Sequence, residues 1–153
     1  MTGSLGKSQI AALIPHAGAM CLLDAVRFWD DTMIVCTASS HRAAENPLAH
    51  GGGLDAVCGI EYAAQAMAVH GALISGSGRR PAAGYLASVR DVVCHAARLD
   101  LLPDDLEVTA ARLFAAGRVG DNRAALYRFV LRCGTATILE GRAAVAIGAA
   151  PPA

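Results

Sequence analysis

The chain has 153 residues, 54% of them hydrophobic and 17% charged, with Lys plus Arg and Asp plus Glu balanced at 13 each. That length fits one domain, residues 1–153, able to bury a core without disulfide or metal staples. The charge balance excludes the basic footprint of a nucleic-acid binder and the acidic tail of a solvating segment.

In chain order, residues 1–15 contain a short helix, Ser8 to Ile14, which Ser8 can cap and Pro15 ends. Met20 to Trp29 and Thr32 to Ala38 read as two strands of a hairpin around Asp30-Asp31. Ser39 to Gly53 is loop, punctuated by Asn46-Pro47 and Gly51-Gly52-Gly53. Leu54 to Ser75 is the longest helical signal, rich in Ala, Met and Leu, with Asp55 placed to cap it. Almost apolar all round, it belongs inside the domain, and Gly59 and Gly71 imply close packing against a neighbour. Arg79-Arg80-Pro81 reads as a solvated turn. Four strands follow, Tyr85 to Ala97, Leu106 to Phe114, Ala124 to Arg132 and Thr135 to Ile147, the last three joined as hairpins. The tail, residues 149–153, is expected to fray. One helix beside so many antiparallel strands predicts an α+β domain whose sheet curls around the helix.

Several chemistries are excluded. The cysteines, Cys21, Cys36, Cys58, Cys94 and Cys133, are odd in number, widely spaced and set among apolar residues. They predict free thiols in a reducing, cytoplasmic setting. Neither they nor the five histidines are grouped as metal ligands, so no metal is expected. The glycine run lacks the spacing of a dinucleotide or phosphate loop, no Gly-x-Ser-x-Gly elbow occurs, and no cofactor is implied. The N-terminus lacks a secretory pattern, and no apolar run is expected to reach the ~18 residues of a membrane span.

Glu61 stands out. A carboxylate in an apolar helix must be paired, protonated or placed at an opening. Gln65, four residues on and on the same face, can orient it. A desolvated glutamate is a proton donor at neutral pH. The competing reading is a glutamate satisfied by the helix dipole or by an arginine across an interface. Of the histidines, His50 lies in the loop before the helix and is the candidate base. His16, after Pro15, suits a structural hydrogen bond, His41 loop surface and His95 a packed strand position. His70 falls about 180° round the helix from Glu61 and meets a different environment.

The residues carry a resemblance. Ile14-Pro15-His16 through Met20 to Leu22-Leu23-Asp24-Ala25-Val26, then Gly59-Ile60-Glu61-Tyr62-Ala63-Ala64-Gln65-Ala66, then Leu102-Pro103-Asp104-Asp105-Leu106-Glu107-Val108, occur in order. With the final hairpin from Arg132-Cys133-Gly134 to Leu139-Glu140-Gly141-Arg142-Ala143, they resemble hot-dog-fold 3-hydroxyacyl-acyl-carrier-protein dehydratases over the whole chain. Asn46-Pro47-Leu48 and the helix onward to Leu73 are similar to the divergent dehydratase-like branch linked to aryl-polyene-type pathways.

The resemblance implies a hot-dog fold, with a long central helix wrapped by a curved antiparallel sheet. It also implies a dimer with shared sites, either a homodimer or a heterodimer with a related hot-dog subunit. The implied activity, on fatty-acid-like substrates, is dehydration of 3-hydroxyacyl thioesters on acyl carrier protein to trans-2-enoyl thioesters. Glu61 then matches the acid and Gln65 the helix glutamine on the substrate-binding side, with an apolar tunnel for the acyl chain. His50 is the candidate base, although Leu48-Ala49-His50-Gly51-Gly52-Gly53 stands where the family has Gly-His-Phe-Pro-Gly. Asp55-Ala56 replaces a Pro-Gly pair, leaving the Ala56 N–H as oxyanion donor, and His16 is a further substrate-side candidate. The alternatives are a non-catalytic subunit or acyl-thioester binder supporting an active homologue, and a hot-dog thioesterase.

Overall fold

A computed structural model describes residues 4–16, 18–75, 84–119 and 122–147. Helix α1 spans Lys7–Leu13, followed by strands β1 (Ala25–Trp29) and β2 (Met33–Ala38), and helix α2 (Gly59–Ser75). Strands β3 (Gly84–Cys94), β4 (Leu106–Val119), β5 (Asn122–Cys133) and β6 (Ala136–Ile147) complete the chain. All pairings are antiparallel, in the order β1-β2-β4-β5-β6-β3. α2 lies across β2, β4 and β5. This is the wrapped-helix arrangement that the sequence implies. The expected turn at 79–81 and tail at 149–153 lie outside the described residues.

The sheet closes on the helix by strict alternation. Ile34, Cys36 and Ala38 of β2, Leu106, Val108 and Ala110 of β4, and Tyr127, Phe129 and Leu131 of β5 are all buried. Each large apolar side chain so buried contributes about 1.5–3 kcal/mol. Register shifts interrupt β1, β3 and β4 and bend the sheet. Two glycines permit close approach. A Cβ on Gly59 would stand 2.7 Å from Leu139 Cδ2 and 2.9 Å from Leu131 Cδ2, and one on Gly141 would stand 2.8 Å from Phe129 Cζ.

Four boundaries or placements differ from expectation. Gly6, not Ser8, occupies the N-cap of α1, and the Gln9 side chain accepts the Gly6 N–H at 2.9 Å. β1 starts at Ala25, because the residues before it bond elsewhere: Lys7 Nζ donates to the Cys21 and Leu23 carbonyls at 2.8 and 3.0 Å. His41 is buried rather than on the surface, its Nε2 lying 3.3 Å from the Leu102 carbonyl. His95 is exposed rather than packed, with Nε2 3.0 Å from Glu140 Oε2.

The helix also departs from expectation at its start. Residues Ala56–Cys58 form a 3-10 turn that runs into α2, giving one helix of 20 residues with mean hydropathy 1.2. By length and composition it meets the requirement for a membrane span, contrary to the sequence reading. Half of that window is buried within the fold, as for a core helix.

Polar residues on α2 tie it to the surrounding chain. The Tyr62 hydroxyl is 2.8 Å from Ser40 Oγ and accepts from Asn46 Nδ2 at 3.1 Å. His70 is fully buried between the Asp30 carbonyl, 2.7 Å from Nε2, and the Tyr127 hydroxyl, 2.7 Å from Nδ1. A carbonyl only accepts, so Nε2 carries the proton and Nδ1 accepts from Tyr127. Burial holds His70 below the ordinary imidazole range, with Arg112 adding to the effect and the Asp30 carbonyl and the Asp30 and Asp31 charges opposing it. His41 is lowered as well, first by burial and then by Arg42.

For both histidines the unfolded chain takes up a proton at higher pH than the folded one. The stability of the neutral, buried state is therefore complete above pH about 6.5 and declines as pH falls from there toward the folded values. The urea midpoint should drop between pH 7.5 and pH 5.5, and His70→Gln, which cannot protonate, should flatten that slope by up to ~1.4 kcal/mol per pH unit. An equal slope in the variant would refute the assignment.

Candidate functional site

The helix entrance is built on a short backbone ladder. His50 and Gly53 close a two-residue turn on each other, His50 N–H to Gly53 O at 2.8 Å and Gly53 N–H to His50 O at 3.1 Å. Between them Gly51 and Gly52 have φ of 61° and 81°, a mirror-image turn that glycine adopts without strain. The chain then runs beside residues 97–100. Leu99 N–H donates to Leu54 O at 2.8 Å, and Ala56 N–H donates to Ala97 O at 3.0 Å.

This pairing corrects one expectation. The Ala56 N–H is committed to Ala97 and is not free to polarise a carbonyl. Further into the 3-10 turn, Cys58 N–H donates to Asp55 O, and Gly59 N–H to the Ala56 and Val57 carbonyls. Val57 N–H has no acceptor among the described residues, and its side chain is exposed. Asp55 holds the N-cap position but makes no side-chain cap bond.

Glu61 occupies the first turn of α2 and is exposed in the single chain, so the expected desolvation is not supplied within one chain. It has no hydrogen bond or ion pair among the described residues. Cys58, three residues earlier on the same face, is half-buried. Burial raises its thiol, and the charges of Asp55 and Glu61 raise it further.

Gln65 does not orient Glu61. It is buried, its Oε1 accepting the Leu22 N–H at 2.9 Å and its Nε2 donating to the Met20 carbonyl at 2.6 Å. Both polar ends are consumed in holding the segment before β1 on the helix. His16 is half-buried, and its shielded Nδ1 has no partner, so the structural hydrogen bond expected there is not formed among the described residues. The His50 side chain is exposed, with no hydrogen bond among the described residues.

The chain thus places Glu61, Cys58 and the Val57 N–H around the helix start, with His50 on the turn leading to it. Gln65 and Ala56 belong to the scaffold. The spacing of Cys58 and Glu61 was readable from the helix period. The Val57 donor was not, because it is defined by which neighbours residues 97–100 engage. Among the described residues no group of acidic, cysteine or histidine side chains could hold a metal ion.

The model of the ApeP-like family, described as ApeP dehydratase, matches residues 8–148. Among solved structures, the dehydratase heterocomplex ApeI:P from Xenorhabdus doucetiae contains a similar chain, 20% identical, with a TM-score of 0.78 over 92% of this chain and 91% of that one. Zebra fish thioesterase superfamily member 2 is 19% identical, with a TM-score of 0.58 and 93% and 95% covered. A mutant thioesterase from Pseudomonas aeruginosa is 14% identical, with a TM-score of 0.54 and 94% of each chain covered. At these identities the likeness establishes the hot-dog fold. No curated protein sequence matches the chain.

If Gln65 is structural, Gln65→Leu should strand a buried N–H and a carbonyl and cost about 1–3 kcal/mol. Chemical denaturation would detect this, and unchanged stability would return Gln65 to the list of ligand-facing residues.

Proposed function

Because the chain belongs to the ApeP-like dehydratase family, we propose that it dehydrates 3-hydroxyacyl thioesters carried on acyl carrier protein. The product is a trans-2-enoyl thioester, made for a fatty-acid-like or aryl-polyene-type chain. The observation that carries this reading is the isolation of Glu61. Tyr62, Gln65 and His70 are hydrogen-bonded within the fold, while the one carboxylate of α2 points outward from its first turn with no partner among the described residues.

In the proposed step His50 removes a C2 proton and Glu61 delivers its proton to the C3 hydroxyl. Water leaves as the C2–C3 double bond forms. The Val57 N–H, rather than that of Ala56, polarises the thioester carbonyl. No cofactor is needed.

A partner subunit is part of the reading. β3 is a sheet edge whose outer side has no pairing strand among the described residues, whereas Leu5 bridges to Val26 on the β1 edge. Val93 on β3 is 46% exposed. A second hot-dog chain joined there would supply the desolvation that Glu61 lacks alone. A related subunit fits this role as well as a second copy does. Five free cysteines support a cytoplasmic setting.

One observation favours the alternative of a supporting, non-catalytic subunit. His50 lacks the orienting hydrogen bond that fixes a general base, at least within one chain. Glu61→Gln in the assembled complex decides between the two. Catalysis by this chain predicts a loss of kcat of about 10²-fold or more with unchanged melting temperature. Full activity of the Glu61→Gln complex would assign the chemistry to the partner. Release of free acid with the hydroxyl retained would instead identify a thioesterase.

A further inference from the structure

Arg98 lies flat against the His50 turn. A Cβ built on Gly53 would stand 2.7 Å from Arg98 Nη2 and 3.0 Å from its Cζ and Nε. The guanidinium is held there by Asp100, with Nε donating to Oδ1 at 3.0 Å and Nη2 to Oδ2. Asp100 Oδ1 also accepts the Leu54 N–H at 2.9 Å. Asp100 is lowered to about 2, first by the Arg98 hydrogen bond and then by the Leu54 N–H. Asp55 and Arg98 form an isolated antiparallel bridge between these two bonded positions.

A fork-to-fork ion pair on the surface contributes little to global stability. Its planar geometry does fix direction, and here it presses on the residue that closes the His50 turn. The same carboxylate holds the next amide of the path to the Val57 N–H. Such a pair acts on placement rather than on chemistry.

We propose that Arg98 and Asp100 are positioning residues: a clamp that sets the His50 turn and the helix entrance for the reaction under Proposed function, on which the kinetic part rests. Gly53 is the seat of the clamp, small because the guanidinium occupies the place of a side chain. The backbone at Gly53 has ordinary φ, so Gly53→Ala displaces Arg98 without straining the turn.

Two measurements on the full chain in its active assembly test this. Amide hydrogen exchange should accelerate about tenfold at His50 and Gly53 in Arg98→Ala, with core amides such as Val69 unchanged. Kinetically, Arg98→Ala and Gly53→Ala should each lower kcat about tenfold with KM within twofold. The double variant should be no worse than either single one, since both remove the same contact. Asp100→Asn, which keeps an oxygen for Leu54 but loses the charge, should show the same kcat-only defect. Unchanged exchange at both amides, a defect confined to KM, or fully additive losses would overturn the clamp. If the wild-type complex dehydrates nothing, the proposed function fails, and the exchange measurement still decides the clamp.

Discussion

A polar side chain inside an apolar core must find a partner, because an unsatisfied buried donor or acceptor costs about 1–3 kcal/mol. α2 carries three such residues, and each is satisfied by chain that would otherwise be irregular. Tyr62 fixes the stretch around Ser40 and Asn46, Gln65 fixes Met20 to Leu22, and His70 fixes the β1–β2 turn to β5. The loops around the helix are therefore ordered by the helix itself. The sheet supplies apolar burial, and the hydrogen bonds of these three residues choose where the connecting segments lie.

That division of labour explains what stands at the helix entrance. Glu61 sits one residue before Tyr62, yet its side chain faces away from the core and takes part in none of these bonds. The turn that carries His50 is shaped by its two glycines, and residues 97–100, which follow β3 in the chain, bond to Leu54 and Ala56 at the start of the helix that carries Glu61. Arg98 packs on Gly53 and Asp100 holds Leu54, so the turn and the helix start share one support outside the core.

Much of this was legible in the amino acids. The period-two runs identified the strands, and the long apolar stretch identified α2 and made Glu61 conspicuous. The misreadings share a cause. Ser8, Gln65 and His41 follow local rules for caps, helix faces and loops, and Ala56 follows the family resemblance. Their actual partners lie elsewhere: Gln65 bonds 43 residues away at Leu22, and His41 bonds 61 residues away at Leu102. Ala56 meets Ala97 only because the sheet returns the chain after β3 to the helix start. At Ser8 a nearer competitor won, since Gly6 and Gln9 complete the helix start two residues early. Local pattern reveals which residues are polar in an apolar setting; the topology decides whom they serve.

The outer strand β3 carries one more feature. Asp91 has φ of 55°, and the pairing with β6 jumps between Arg90 and Val93. A left-handed residue in an edge strand breaks the outward row of N–H and C=O groups into unequal lengths. An arbitrary strand laid along β3 would lose register at Asp91, whereas a chain shaped to the kink would not. The irregularity therefore works against indiscriminate sheet extension and aggregation, and it narrows the molecules that can complete this edge to those with a matching contour.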